Sequence, residues 1–129
     1  MKQEANPIIY IDRSSVRKGK LTQLKSEAAE LGEFLRSNEP RILAYNVYFS
    51  EDESRMTVVH VHRDAASLDF HMKIGGPRFS KFAEYLTLET IDVYGEVDEE
   101  IVKQLQRKAA LLGAGTVTVH RFHAGFARF

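Results

Sequence analysis

The chain has 129 residues, of which 43% are hydrophobic and 28% are charged, a composition typical of a soluble globular protein. Eighteen basic side chains balance eighteen acidic ones, and the formal net charge of zero argues against nucleic-acid binding. The chain contains no cysteine, which excludes disulfide bonds and thiolate chemistry.

The hydropathy pattern shows no sign of export or of membrane insertion. No apolar run approaches the ~18 residues that a membrane-spanning helix needs, and residues 1–7 lack the apolar middle of a secretory signal. We therefore expect a cytoplasmic protein with no membrane or nucleic-acid partner. Its length predicts a single domain over residues 1–129, with a core at about 8–97 and a helix-strand extension at 98–129.

The first predicted elements are a strand and a long helix. Ile8–Arg13 is a β-branched run that predicts a strand. Ser14 and Ser15 are candidate caps for the helix that follows. In that helix, leucine and alanine recur every three or four residues until about Ser37. Pro40 ends the helix, because the residue before a proline avoids helical geometry.

A hairpin and a second helix come next. Ile42–Ser50 and Met56–His62 are rich in strand-forming residues, and the polar turn between them predicts an antiparallel pair. The second strand leads into a helix at Ser67–Gly76, where apolar residues recur at helical spacing. The glycines and the proline of Gly75–Pro77 are expected to interrupt regular structure.

The rest of the chain predicts a helical piece near Phe79 and Phe82, a strand at Leu86–Val97, a helix capped by Asp98 and a strand at Gly115–Phe122. The first six elements follow the order of the ferredoxin-like split βαβ plan, an α+β fold with helices on one face of an antiparallel sheet. Alternate strand positions are apolar on both sides, so the uncovered face needs a cover. We predict that a second copy of the chain provides it in a homodimer.

Three histidines are the best candidates for a functional site. His60 and His62 alternate along a strand and therefore lie on one face of the sheet. His71 belongs to the apolar stripe of the following helix. Imidazoles on the buried faces of adjacent elements predict a pocket for a small molecule.

The sequence around these histidines has a recognisable order. An acidic residue opens the helix of His71, and phenylalanines follow that helix. The residues concerned are Asp64, Ala65, Ala66, Leu68, His71, Phe79 and Phe82. This pattern resembles the antibiotic biosynthesis monooxygenase family of the dimeric α+β barrel superfamily, over about residues 8–97. The chain departs from the family in having His60 and His62 where an acid and an aromatic are common, and in having no tryptophan.

The resemblance implies a dimeric α+β barrel and a cofactor-independent monooxygenase that acts on a quinol-like or polycyclic aromatic molecule. In such a reaction the substrate is the electron source and must first lose a proton. His71 is suited to accept that proton, because an imidazole has a pKa near ~6.5. His60 and His62 are expected to orient the substrate. Further substrate-binding candidates are Asn46, Tyr48, Tyr94 and Phe79.

Other interpretations of the same residues remain open. A non-catalytic small-molecule-binding or regulatory domain would explain the missing acid and tryptophan. A haem-binding or haem-degrading protein would use His71 as an axial ligand. His60 and His62 have a spacing that can hold a transition metal, although they more readily line the pocket or bond to each other and to Tyr94. We expect no metal and no cofactor.

Overall fold

The structure is a computed structural model that describes residues 7–129. Residues 1–6, on which most of the prediction about a secretory signal depends, lie outside the described residues. No helix within the described range is long and apolar enough to cross a membrane. The elements are β1 (Ile8–Val16), α1 (Leu21–Asn38), β2 (Ile42–Phe49), β3 (Arg55–His62), α2 (Ala65–Phe79), a 3₁₀ helix (Ser80–Glu84), β4 (Leu86–Tyr94), α3 (Glu99–Leu112) and β5 (Gly113–His120).

The five strands form one sheet in the order β2-β3-β1-β4-β5. Neighbouring strands are antiparallel except β4 and β5, which run parallel because α3 crosses over between them. The predicted hairpin and the ferredoxin-like α+β plan are therefore confirmed. The last strand, whose place the sequence left open, lies at the edge of its own sheet beside β4.

One core lies between the sheet and the three helices. α1 buries Leu24, Ala28, Leu31 and Leu35, at the spacing that the sequence predicts. α3 buries its apolar stripe in the same core. The C-terminal helix therefore contributes to the same interior as the elements before it.

The predicted helix caps are partly confirmed. The side chain of Asp98 accepts a hydrogen bond from the backbone N–H of Ile101 at 2.9 Å and so caps α3. Ser14 and Ser15 belong to β1, so their predicted role as caps of α1 is wrong. The reason is that β1 is the central strand, and its hydrogen bonds to both neighbours extend it to Val16.

α2 continues through Gly75, Gly76 and Pro77 to Phe79, so the predicted interruption is wrong. Phe79 is buried, and its ring packs over Gly75, where a Cβ atom would lie only 2.9 Å from the ring. The ring reaches this place only if the backbone stays helical from Gly75 to Phe79. Tertiary packing therefore outweighs the weak helix propensity of these residues.

The outer face of the sheet, which the helices do not cover, is rich in apolar side chains. It carries Ile9 and Ile11 from β1 and their neighbours Val59 and Val61 from β3, as the alternation predicts. Tyr48 on the same face is 54% exposed. An apolar surface of this kind is typical of an interaction site.

Candidate functional site

A group of polar side chains is buried between the sheet and the helices, where each needs a partner inside the protein. The strands β1 and β3, the end of α1, and the helices α2 and α3 each contribute to it. Its members are Tyr10, Asp12, Glu39, His60, His62, His71 and Lys108.

His71 and Glu39 form a hydrogen-bonded pair in this group, with side chains at most 1% exposed. Glu39 follows the last residue of α1, and its backbone N–H donates to Leu35, which fixes its position. Nδ1 of His71 lies 2.8 Å and 3.0 Å from the two carboxylate oxygens of Glu39. An ionised carboxylate only accepts hydrogen bonds, so Nδ1 carries the hydrogen and Nε2 keeps its lone pair. Nε2 is buried without a partner among residues 7–129, an arrangement suited to a general base.

His60 and His62 lie on the inner face of β3, as their alternation predicts. Nδ1–H of His60 donates to the backbone carbonyl of Tyr10 at 2.9 Å, and Nδ1 of His62 lies 2.8 Å from the hydroxyl of Ser67. Both ring centroids lie 5.2 Å from that of His71. The fold therefore brings the three predicted histidines together, although their hydrogen bonds are made to other groups.

A metal site at these histidines gains no support from the geometry. In the part of the chain that the structure describes, no group of three or more histidine, cysteine, aspartate or glutamate side chains is arranged to hold a metal ion. Burial, and to a smaller extent the ammonium of Lys108, lowers the pKa of His60 and His71, and the positive charge of Lys108 would also repel a metal ion.

Lys108 brings a positive charge from α3 into the same region. Its ammonium contacts the hydroxyl of Tyr10 and lies 3.1 Å from the carboxylate of Asp12. It also lies 4.3 Å from the ring centroid of Phe79. Tyr10 in turn stacks on His60, with a centroid separation of 4.0 Å. A buried ammonium next to a tyrosine hydroxyl can stabilise a negatively charged oxygen on a ligand.

Burial determines the protonation of the histidines and of Glu39. Burial lowers the pKa of His62 to about 3, with a smaller contribution from the neighbouring His71. It also lowers the pKa of His71 to about 3, with a smaller contribution from the ammonium of Lys108. Burial also lowers the pKa of His60 and raises the pKa of Glu39 to about 7. Above neutral pH the pair is therefore a neutral imidazole beside a carboxylate, the state in which Nε2 of His71 can accept a proton.

These pKa shifts predict that the protein loses stability in mild acid. Below about pH 6.5 the unfolded chain binds protons at His60, His62 and His71 that the folded chain excludes, and this lowers the free energy of unfolding as the pH falls. Glu39 acts in the opposite direction between about pH 7 and 4.5, because its folded pKa is raised. Between about pH 6 and 4.5 the unfolded chain therefore binds two more protons than the folded chain. We expect the free energy of unfolding to fall by roughly 2–3 kcal/mol per pH unit over this range.

Urea denaturation at several pH values between 7 and 4.5 measures this effect. In the variant His62→Gln, the free energy of unfolding is expected to change with pH about one-third to one-half less steeply. The reason is that this variant lacks one of the three histidines that the folded chain keeps neutral. The variant His123→Gln is the matched control, because His123 is exposed, and its slope should equal that of the wild type. A free energy of unfolding that does not fall below pH 6 would contradict the buried, neutral state of the histidines.

The cavity beside the polar group is small. Its volume is about 30 Å³, and Tyr45, His60, Phe79 and Lys108 are among the residues that line it. Such a space holds about one or two water molecules. A substrate-sized pocket between the sheet and the helices, as the sequence suggested, is therefore not present in this conformation. His71 does not border the cavity.

Of the other predicted substrate-binding residues, Phe79 lies beside the histidines, with its ring centroid 5.6 Å from that of His71. Asn46 and Tyr48 share the exposed outer face of β2 and point away from them. The physical reason is that residues directly opposite each other on neighbouring strands lie on the same face. The partner of His60 on β2 is Tyr45, not Asn46 or Tyr48.

Tyr94 also lies on the outer face, so the expected contact between it and the strand histidines is wrong. Its neighbour Val93 is the buried residue of that pair and lies opposite Tyr10. The ring of Tyr94 stacks instead on His120 of β5, with a centroid separation of 4.4 Å.

Three members of the site, Asp12, Glu39 and Lys108, and the neighbouring Tyr45 were not singled out from the sequence. Asp12 alternates with Ile8 and Tyr10 on the inward face of β1. Lys108 lies on the otherwise apolar stripe of α3, one turn from Leu105 and Leu112. A charged residue at an apolar position is a signal that sequence reasoning can use. Tyr45 gave a weaker signal of the same alternating kind, and Glu39, in the connection after α1, gave no periodic signal.

Comparison with known proteins identifies the fold. A crystal structure of MupZ from Pseudomonas fluorescens is similar, with a TM-score of 0.74 and 18% sequence identity over 99% of this chain and 94% of that chain. PA3566 from Pseudomonas aeruginosa has a TM-score of 0.63 and 23% identity over 75% of this chain and 100% of its own. SnoaB from Streptomyces nogalater, described as a cofactor-independent oxygenase, has a TM-score of 0.61 and 16% identity, over 71% and 94%. No curated protein matches the chain.

The sequence profile of the antibiotic biosynthesis monooxygenase family matches residues 7–85, from β1 to the end of the 3₁₀ helix. This range contains the three histidines and Glu39, whereas Lys108 lies beyond it. The match spans more than half of the chain and agrees with the resemblance predicted from the segment around His71. The chain belongs to the antibiotic biosynthesis monooxygenase family.

Proposed function

We propose that the protein is a cofactor-independent monooxygenase that oxidises a quinol-like or polycyclic aromatic phenol, with His71 as the general base. The observation that carries the proposal is the buried pair of Glu39 and His71, in which Nε2 is free to accept a proton. A carboxylate that holds an imidazole in this tautomer is a recurrent arrangement for proton abstraction.

The reaction requires a more open conformation than this one, because a cavity of about 30 Å³ does not hold a phenol and His71 does not border it. In that open conformation the first step is transfer of the phenolic proton to Nε2 of His71. The phenolate then passes one electron to dioxygen, and the resulting pair of radicals combines to form a carbon–oxygen bond. When the O–O bond of the peroxide breaks, one oxygen stays on the ring as a carbonyl and the other leaves as water. The balance is phenol plus dioxygen giving quinone plus water, so the substrate supplies all four electrons and no cofactor is required.

The residues around His71 suit both the negatively charged phenolate and the apolar dioxygen molecule. Lys108 and Tyr10 form a donor pair that can stabilise the phenolate oxygen. His60 and His62 also lie beside His71, and the ring of Phe79 adds an apolar wall, which suits dioxygen better than water does. SnoaB, a protein of similar fold, is described as a cofactor-independent oxygenase, which supports the same class of reaction.

Oxygen uptake with a panel of phenols and hydroquinones tests the proposal. We expect the wild type to consume dioxygen with at least one of them, and His71→Ala to lower the rate by about 10²–10⁴-fold, the usual contribution of a general base. His123→Ala is the matched control, because His123 is exposed and outside the site. Equal rates for wild type and His71→Ala would remove His71 from the mechanism.

The non-catalytic alternative has its own outcome in this experiment. Saturable binding of a phenol without any oxygen uptake would identify a binding or regulatory domain of the same fold. The haem-binding alternative has a separate test, an absorbance titration with haemin. A Soret band that is lost in His71→Ala would support haem binding, and an unchanged spectrum would reject it.

We also propose that the apolar outer face of the sheet is covered by a second copy of the chain. Ile9, Ile11, Val59 and Val61 make this face suited to self-association. Size-exclusion chromatography with light scattering should give twice the mass of the chain at micromolar concentration. Replacement of Val59 by lysine is expected to shift the protein to the monomer, and a monomeric wild type would refute the dimer.

A further inference from the structure

The ring of Phe79 fills the space beside His71. Phe79 is only 5% exposed, and its ring centroid lies 5.6 Å from that of His71. The ammonium of Lys108, which contacts the buried Tyr10, lies 4.3 Å from the centroid of the same ring. A phenyl ring that belongs to the protein therefore already lies next to both the proposed base and a buried cation.

The place of this ring suits the ring of a phenol in size and in chemistry. A phenol with a single ring has the same aromatic outline as the side chain of phenylalanine, and an ammonium attracts the face of either ring. The hydroxyl of a phenol extends one bond beyond the ring, so a ring at this distance from His71 can bring its oxygen within hydrogen-bond reach of an imidazole nitrogen. Nε2 of His71 is buried and accepts no hydrogen bond from residues 7–129.

Gly75 makes room for the ring of Phe79 in its present, closed position. A Cβ atom built on Gly75 would lie 2.9 Å and 3.0 Å from two carbon atoms at the far end of that ring. Carbon atoms in favourable contact lie ~3.5–4.0 Å apart. The closed position therefore depends on a residue without a side chain, one turn earlier in α2.

Phe79 also has open space beside it into which the ring can turn. It borders the cavity of about 30 Å³ and, in addition, a surface pocket of about 270 Å³ between α2 and α3. Met72 and Leu111 border the same surface pocket, and Leu111 is 52% exposed. By rotation about its side-chain bonds, the ring can exchange its contact with Gly75 for contacts with these apolar side chains while α2 stays helical.

We propose that the place now held by the ring of Phe79 is the binding site for the phenolic ring of the substrate, and that Phe79 turns outward into the pocket between α2 and α3 when the substrate binds. The ligand class is a phenol or hydroquinone with one ring in this place. Outward rotation joins the vacated space to the cavity beside His60. This assignment rests on the proposed function for the kind of ligand, but binding can be measured without turnover.

Two neighbouring glycines of α2 allow the closed position to be tested. The apparent affinity for a phenol falls with the fraction of molecules in which Phe79 is turned outward. Gly75→Ala raises that fraction, because its Cβ atom collides with the far end of the ring, and alanine also favours the helical backbone. Gly76→Ala is the matched control, since a Cβ atom there meets no atom within 4 Å.

Calorimetric titration with phenol in the absence of oxygen measures binding without oxidation. We expect saturable binding to Gly75→Ala, roughly tenfold or more tighter than to the wild type and to Gly76→Ala. Phe79→Ala removes the ring and should show the same gain. In NMR spectra of both high-affinity variants, nuclear Overhauser effects should connect the phenol with the ring protons of His71. Thermal unfolding of each variant checks that the fold is intact.

Two results would overturn the assignment: a phenol affinity of Gly75→Ala no greater than that of Gly76→Ala, or bound phenol without contacts to His71. Oxygen uptake with hydroquinone tests the proposed function separately. Phenol bound beside His71, without oxygen uptake by the wild type or any variant, would keep the binding site and reject the monooxygenase. Oxygen uptake by the wild type, with a phenol affinity that Gly75→Ala leaves unchanged, would reject the binding site and keep the monooxygenase.

Discussion

Replacement of Glu39 by glutamine is expected to lower kcat/KM for an oxidised phenol by about 10²–10⁴-fold while leaving the protein folded. The amide of glutamine donates a hydrogen bond to Nδ1 of His71, which moves the imidazole hydrogen to Nε2. Nε2 then has no lone pair with which to accept the phenolic proton. Because burial makes ionised Glu39 unfavourable in the fold, its removal is not expected to unfold the protein above pH 7.

The pH dependence of the same reaction gives a second readout of Glu39. Its pKa is raised to about 7, so the carboxylate forms only as the pH rises through about 7. Wild-type kcat/KM should therefore rise over this range, and the rise should be absent in Glu39→Gln. Glu33→Gln, at an exposed position of α1, is the matched control and should retain the wild-type rate and profile. A wild-type profile in Glu39→Gln would show that the pair is structural only.

Replacement of Lys108 by methionine is expected to lower the free energy of unfolding by about 3–5 kcal/mol, the usual effect of breaking a buried ion pair. The change leaves the carboxylate of Asp12, only 6% exposed, without its cation, and removes the contact with the hydroxyl of Tyr10. Urea denaturation at pH 7 measures the loss. Lys103→Met, at an exposed position of the same helix, is the control and should change stability by less than about 0.5 kcal/mol.

A double variant separates the charge effect from lost packing. In Lys108→Met with Asp12→Leu both charges are absent, so most of the stability lost by Lys108→Met should return. A single Lys108→Met variant as stable as Lys103→Met would contradict the buried ion pair. Failure of the double variant to recover would instead show that the side chains of α3 and β1 contribute mainly by packing.

The predictability of this fold comes from short periodic patterns. α1 and α3 bury the leucines and alanines that recur at helical spacing, and β3 buries Met56, Val58, His60 and His62 in strict alternation. Such patterns work because one face of each element must leave water. The same reasoning placed His71 on the buried stripe of α2, where the structure has it.

The candidate site was less predictable, because its partners are distant in the chain. Nothing in the neighbourhood of Glu39 indicates that its carboxylate meets His71, 32 residues later. Asn46 and Tyr48 lie on the face away from the histidines, which the sequence could not show. A face of β2 cannot be assigned to the histidines until the register is known, and that register pairs His60 with Tyr45.

The sequence alone therefore determined the helices, the strands, the ferredoxin-like order and the inward direction of His60, His62 and His71. Only the tertiary structure decided that Glu39 orients His71, that Lys108 joins the site from α3, and that α2 continues past Pro77 so that Phe79 packs on Gly75. The physical reason is that the periodicity of apolar residues shows which face of a single helix or strand is buried. The contacts of Glu39 and Lys108 depend instead on how elements that are far apart in the sequence pack against each other.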